Sequence, residues 1–298
     1  MFPMDYEEFK WALRDTATIK LLQGCFHSKR PMGDDINRKL MRDFRLYMLV
    51  GGMPQAVSTY LETNNLEKVD SAKRSIITLY EDDFNKIDQT GNASKIFHQI
   101  PAQLTSNANR YLTWSATDGT RNTILTEILS EIKESMVVNM AYHANDPSAG
   151  MALHQDPNKY KMFAGDTGLF VTLAFWDRKF TDNTIYNKLL SDKLSTDLGY
   201  VYENVVAQML KASGHELYYY TFPTDSGKHN YEIDFLIAGS DKVSPIEVKS
   251  SGYKAHSSLD AFCHKFSSRI KNKYLIYTKD MRKDGDVLYL PVYMTLFL

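Results

Sequence analysis

Two short apolar segments in the last third of the chain carry charged side chains at alternate positions. Residues 232–237 read EIDFLI, and residues 246–249 read IEVK after a short turn. Because successive side chains of a β-strand point to opposite faces, Glu247 shares a face with Lys249, and Glu232 shares one with Asp234. A charge buried without a partner or a bound ion costs free energy. The two segments therefore predict neighbouring strands of a buried sheet whose charged groups form a site.

Two acids beside one lysine suit metal-assisted cleavage of a phosphodiester. Mg²⁺ prefers carboxylate oxygens, and a lysine can stabilise the charge that develops on the phosphate or on the attacking water. We therefore predict Asp234, Glu247 and Lys249 as catalytic residues. Mg²⁺ or Mn²⁺ is expected to be held by Asp234 and Glu247 together with Glu203, which lies on the preceding helix among apolar neighbours.

Other readings of the same segments remain open. A Glu-x-Lys pair is common on the exposed face of a strand, so the pair alone is a weak sign of catalysis. The alternative function is a module that keeps the fold and binds protein or nucleic acid without cleaving it, which the near-neutral charge and an acidic predicted helix favour. Glu232 either joins the metal ligands or pairs with Lys249. The tyrosines at 218–220 either stack on nucleic-acid bases or belong to the core and surface of one strand.

Charge and cysteine content narrow the class of protein. The chain carries 35 basic and 36 acidic residues, and from residue 199 onward it carries 12 basic and 11 acidic residues. Neither balance is the basic footprint of a strong general DNA binder. The two cysteines lie far apart, and no apolar run approaches the roughly 20 residues that span a bilayer. We expect a reduced, cytoplasmic protein without a membrane partner, and leave its oligomeric state open.

Hydrophobic periodicity predicts a multi-domain α+β chain with an α/β domain at its C-terminal end. Residues 1–89 are predicted as a helical segment, in which Pro54 opens a helix after the break at Gly51 and Gly52. Residues 90–165 have the order of a winged helix, with a third helix capped by Thr120 and wing strands at 137–143 and 159–163. Residues 166–298 are predicted as a connector, with a turn at 182–183, followed by a mixed sheet flanked by helices.

The predicted third helix of the winged helix is acidic on its exposed side. Glu127, Glu131 and Glu134 outnumber the basic residues there and would repel phosphate. We therefore prefer a structural or protein-contacting winged helix to one that reads DNA, with both kept as alternatives.

Several segments together resemble the C-terminal region of a family of bacterial and archaeal AAA-type ATPases. In that family an uncharacterised C-terminal domain is similar to the PD-(D/E)XK, restriction-endonuclease-like fold. The matching segments are residues 2–9 (FPMDYEEF), 51–54 (GGMP), 163–169 (with Asp166, Gly168 and Leu169), 199–204 (GYVYEN), 232–235 (EIDF) and 246–250 (IEVKS).

The resemblance implies a nuclease-like sheet in which Asp234, Glu247 and Lys249 match the acid, acid and lysine of the fold, and Glu203 matches its helix glutamate. It also implies an ATPase core upstream, yet the sequence contains no phosphate-binding loop. The expectation is therefore either a fragment of a longer ATPase or a protein that has lost its motor, with no ATP site in this chain.

Overall fold

The chain folds into two compact units that are interleaved along the sequence. The computed structural model describes residues 2–106, 110–112, 122–178, 186, 189–191, 199–224 and 226–298. One unit, here called the helical unit, comprises Met1–Ile19, Arg42–Asn139 and Met162–Leu194. The other, here called the sheet unit, comprises Lys20–Met41, Met140–Lys161 and Ser195–Leu298.

Helices dominate the first half of the chain. They are α1 (Tyr6–Ala12), α2 (Thr18–Ser28), α3 (Asp34–Val50), α4 (Pro54–Thr63), α5 (Leu66–Ile87), α6 (Asn92–His98), α7 (Ile100–Thr105), α8 (Asn122–Glu134) and α9 (Thr167–Ala174). Of these, α2 and the first half of α3 belong mainly to the sheet unit. Thr120, which was predicted to cap the third helix, lies outside the described residues, as does the turn predicted at 182–183.

Local chemistry sets the ends of these helices. Asp5 and Glu8 form a reciprocal capping box at α1, which satisfies backbone N–H groups that the helix leaves free. Pro54 occupies the first turn of α4, as predicted, because its missing N–H is not needed there. On α8 the predicted acids Glu127, Glu131 and Glu134 are exposed.

The sheet unit is built around a mixed sheet of eight strands. The strands are β1 (Val138–Ala144), β2 (Gln155–Ala164), β3 (Leu217–Pro223), β4 (Asn230–Ala238), β5 (Val243–Val248), β6 (Lys273–Tyr277), β7 (Arg282–Asp284) and β8 (Val287–Pro291). Their order is β2-β1-β3-β4-β5-β6-β8-β7. β1 is parallel to β3, β4 is antiparallel to both neighbours, and β5, β6 and β8 are parallel.

Two helices of the sheet unit fix the predicted site. α10 (Gly199–Ala212) packs on β3 and β5, and α11 (Ser257–Lys265) packs on β4 and β5. α10 ends where predicted, since Gly214 adopts φ +89°, a conformation that glycine reaches without strain. The succession of helix, three strands, helix and strand therefore confirms the predicted α/β class.

The strands predicted as a wing are present, but they have a different partner. β1 pairs with β3 in register from Ala141↔Leu217 to His143↔Tyr219, so β1 and β2 extend the large sheet. An isolated two-stranded ribbon is marginal in water, whereas addition to a sheet satisfies one of its edges. The units also differ from the boundaries predicted at residues 89 and 165, because Lys20–Met41 and Met140–Lys161 belong with the sheet.

Three tyrosines of β3, Tyr218, Tyr219 and Tyr220, are buried in the core of the sheet unit. The core part of the predicted core-and-surface strand is confirmed, its surface part is wrong, and the burial of the three rings contradicts base stacking. In the parts of the chain that the structure describes, no helix combines the length and apolarity needed to cross a lipid bilayer.

Candidate active site

The candidate site lies where strands β4 and β5 separate. Their backbone pairing runs from Ala238↔Val243 to Phe235↔Ile246. Beyond that point the N–H of Val248 donates to Asp234 Oδ2 at 2.7 Å. A carboxylate thus takes the place of a strand carbonyl, and the hydrogen bond holds Asp234 at the point where pairing ends.

Glu247 and Lys249 share one face of β5, as the alternation predicted. Lys249 Nζ lies 2.7 Å from Glu247 Oε1. Glu247 is only 3% exposed, and its second oxygen, Oε2, is buried and finds no hydrogen-bond donor among the described residues. Such an oxygen costs about 1–3 kcal/mol, more for a charged group, so it marks a position that a cation or a ligand donor would satisfy.

Glu203 joins this site from α10. The apolar side of α10 is buried through Val201, Val205 and Val206, which is the packing that brings the glutamate toward the sheet. Glu203 Oε2 lies 3.8 Å from Lys161 Nζ. The helix glutamate predicted from its apolar neighbours is therefore near the strand acids.

Lys161 of β2 is the member of the site that sequence reasoning missed. Its buried ammonium pairs with Glu232 as well as Glu203, and it lies 5.5 Å from the centre of the Tyr219 ring. Glu232 thus pairs with Lys161 and not with Lys249, which corrects one predicted alternative. The available signal was a lysine inside the apolar run YKMF at 160–163.

The charged groups of this site shift one another's pKa values. We call Glu203, Glu232, Asp234 and Glu247, with Lys161 and Lys249, the carboxylate cluster. Burial raises the pKa of Asp234 well above its usual value, and the carboxylates of Glu203, Glu247 and Glu232 raise it further against the opposing effect of Lys161. Burial also raises the pKa of Glu203, which Lys161 and Lys249 lower and Glu232 raises.

The two lysines respond in the opposite direction. Burial lowers the pKa of Lys161, but the carboxylates of Glu232, Glu203 and Asp234 outweigh it and raise the pKa overall. The pKa of Lys249 is likewise raised, because Glu247 and its neighbours overcome partial burial. Both lysines are therefore charged at neutral pH, and four carboxyl groups surround these two positive charges.

Whether this cluster could hold a metal ion depends on how many protein ligands the ion needs. Within the described ranges, no group of three or more His, Cys, Asp or Glu side chains is arranged to hold an ion. Mg²⁺ usually takes one or two protein carboxylates and completes its shell with water and substrate phosphate. Asp234 and Glu247, whose Oε2 has no donor among the described residues, have the donor chemistry of such an open site, and their role as ligands stays a prediction. The role of Glu203 as a third ligand stays a prediction.

A second pair of motifs meets inside the helical unit. Asp166 Oδ2 accepts the N–H of Gly52 at 2.5 Å, and its Oδ1 accepts that of Leu169 at 2.8 Å. Gly51 has φ +84°, and a Cβ there would lie 2.4 Å from Asp166 Oδ1. A Cβ on Gly168 would lie 2.6 Å from the Gly51 Cα. The two segments are therefore structural partners, and here they are called the glycine junction.

Two different family models match the two stretches of chain that contain most of the carboxylate cluster and the glycine junction. Residues 198–294, which contain most of the carboxylate cluster, match a family described as Domain of unknown function (DUF4143). That domain is often found in AAA-ATPase-associated proteins. Residues 41–179, which contain the glycine junction and Lys161, match a family described as Domain of unknown function (DUF8612). No curated protein and no solved structure matches the chain.

Proposed function

We propose that the sheet unit is a Mg²⁺-dependent phosphodiesterase that acts on nucleic acid. The observation that carries this proposal is the buried, unpartnered Oε2 of Glu247, in a cluster whose acids outnumber its lysines. A divalent cation would satisfy the oxygen and favour the ionised forms of the acids around it. The resemblance to the PD-(D/E)XK fold supports it, since an acid on one strand, Glu-x-Lys on the next and a helix glutamate are all present.

Each residue of the cluster then has a role. Asp234 and Glu247 would hold the cation, which supplies Lewis-acid stabilisation of the charge on the phosphate. Lys249 orients Glu247 through their 2.7 Å contact and offers a positive donor to a phosphate oxygen or to the attacking water. Lys161 pairs with Glu203 and Glu232, which places two further carboxyl groups and a positive charge next to the site.

A specific observation favours a second candidate, a sheet that binds protein or nucleic acid without cleavage. Lys161 already neutralises part of the cluster, which is how a buried acid is stabilised in a structural site. The near-neutral charge of the chain also gives no general attraction for nucleic acid. The parent would then be an AAA-type ATPase that supplies the activity, consistent with the setting in which DUF4143 is found.

The decisive experiment compares cleavage with metal binding. The purified chain is incubated with plasmid DNA, single-stranded DNA and RNA in Mg²⁺ or Mn²⁺, and Mn²⁺ affinity is measured by calorimetry. We expect Asp234→Asn and Lys249→Met each to lower the cleavage rate about 100-fold or more. Lys254→Met, a change of an exposed lysine in the following loop, serves as the matched control.

The outcomes distinguish the two candidates. Cleavage that both variants abolish and the control retains supports the nuclease. Mn²⁺ binding that depends on Asp234, without cleavage of any substrate, rejects the nuclease and retains a metal site. If neither cleavage nor Mn²⁺ binding depends on Asp234, the metal-dependent proposal is rejected in favour of the binding module.

A further inference from the structure

A second concave site in the sheet unit is lined by lysines. It is a cavity of about 520 Å³ formed by the end of α2, the 3-10 turn Ser267–Arg269, the start of β6 and the β7–β8 hairpin. Lys29, Lys271, Lys273 and Lys283 all line it, and here it is called the lysine basin. Three stretches of the chain, at Lys29, at Lys271 and Lys273, and at Lys283, therefore bring positive charge to one cavity.

The charge of the basin is poorly neutralised. Lys273 Nζ lies 3.6 Å from Asp286 Oδ2, and among the described residues Asp286 is the one acid that lines the cavity. The side chains of Lys29, Lys271 and Lys283 form no ion pair with any residue that the structure describes. Since the whole chain has a formal charge of -1, composition does not explain this concentration. Like charges around one cavity repel each other, and a bound anion would relieve that repulsion.

The rest of the lining suits a ligand that is not only an anion. Ser267 and Asn272 add neutral hydrogen-bonding groups, and Phe26 and Tyr274 add aromatic rings. The volume lies within the roughly 300–1,000 Å³ of small-molecule sites. The basin is thus large enough for a chain of phosphates with an attached organic group.

We propose that the lysine basin binds a polyphosphate-bearing ligand. Three lysines that pair with no acid among the described residues call for about three negative charges, and one phosphate supplies at most about two. Lysine binds phosphate as a point charge. It does not need the paired, planar hydrogen bonds that arginine forms with an anion. A nucleoside triphosphate and a free polyphosphate chain both present this chemistry.

The basin is separate from the carboxylate cluster. Lys273 and Tyr274 at the start of β6 line the basin, whereas the carbonyl of Ile276 near the strand's other end accepts the backbone N–H of Lys249. The proposal therefore does not depend on the nuclease assignment. Binding can be measured without a divalent ion, so the two proposals can fail independently.

The test is calorimetric titration of the chain with inorganic tripolyphosphate and with a nucleoside triphosphate, in buffer free of divalent ions. The basin variant replaces Lys29, Lys271 and Lys283 by glutamine. The control variant makes the same charge change at three exposed lysines of the same unit outside the basin, Lys39, Lys228 and Lys279. We expect the basin variant to bind at least about tenfold more weakly and the control to bind within about twofold of wild type.

A second measurement guards against misfolding of the variant. In the wild-type protein, bound ligand should protect Lys271 and Lys283 from acetylation, as read by mass spectrometry, and leave Lys228 reactive. Tighter binding of the nucleoside triphosphate than of tripolyphosphate would make the nucleoside part of the ligand, and equal binding would make the phosphate chain sufficient. Equal loss in both variants, no protection, or binding of an oligonucleotide alone would overturn the proposal.

Discussion

Both compact units contain buried carboxylates, and the carboxylates of the two units are satisfied in different ways. In the helical unit, both oxygens of Asp166 accept backbone N–H groups, from Gly52 and Leu169. In the sheet unit, Glu247 has one oxygen on Lys249 and the other without a donor among the described residues. Two glycines bring the backbone against Asp166, whereas charged side chains surround Glu247.

The contrast teaches how to separate a structural acid from a functional one. Burial raises the pKa of Asp166, but backbone N–H groups and Lys73 lower it in part. The pKa of Asp234 is raised by burial and then raised again by three neighbouring acids. An acid whose oxygens both accept backbone N–H groups has a structural role. An acid surrounded by other acids is one that a bound cation would stabilise.

The largest expected effect tests the close packing of the glycine junction. Gly51→Ala adds a methyl group 2.4 Å from Asp166 Oδ1 at φ +84°, so we expect the helical unit to lose about 3 kcal/mol or more of unfolding free energy. Gly91→Ala is the matched control, because Gly91 has φ +74° with no atom within 4 Å, and about 1 kcal/mol is expected. Urea unfolding followed by circular dichroism measures both, and equal losses would show that the contact with Asp166 is unimportant.

The next effect compares the same substitution in the two units. Asp166→Asn replaces one accepting oxygen by an NH₂ group, which cannot accept the hydrogen bond of a backbone N–H. We therefore expect the unfolding free energy to fall by about 2–4 kcal/mol. Asp234→Asn removes a charge from among like charges and keeps an acceptor for Val248, so its stability should be unchanged or about 1 kcal/mol higher. A large loss in both variants would mean that Asp234 is structural in the manner of Asp166.

The smallest effect is a difference in pH dependence. A carboxyl group with a pKa raised on folding stabilises the folded state below its unfolded pKa of about 4, and that stability is lost as pH rises through the folded value. Without metal, the unfolding free energy of wild type should therefore fall more steeply above about pH 4 than that of Asp234→Asn. Parallel profiles of the two proteins from pH 4 to 8 would contradict the raised pKa. Added Mn²⁺ should flatten the wild-type profile alone.

The strand pair of the site was predictable because its signal is local. The alternation around Asp234 and Glu247 determines which side chains share a face, and α10 follows from the periodicity of its valines. Lys161 was not predicted because its partners lie 42 and 71 residues away in sequence. Likewise the strand character of β1 is local, but its pairing with β3 depends on tertiary structure that no short segment encodes. The basin was missed for the same reason.

The interleaving of the two units has a consequence for how the chain folds. Asn37 bonds with the carbonyl of Thr278 and the hydroxyl of Tyr293, contacts that span 241 and 256 residues. On the ribosome, Lys20–Met41 leaves the exit tunnel long before those partners have been synthesised. This segment therefore cannot form its native contacts until late in synthesis, and the sheet unit is completed only then. Slow, late folding of the sheet unit is the expected kinetic signature of this topology.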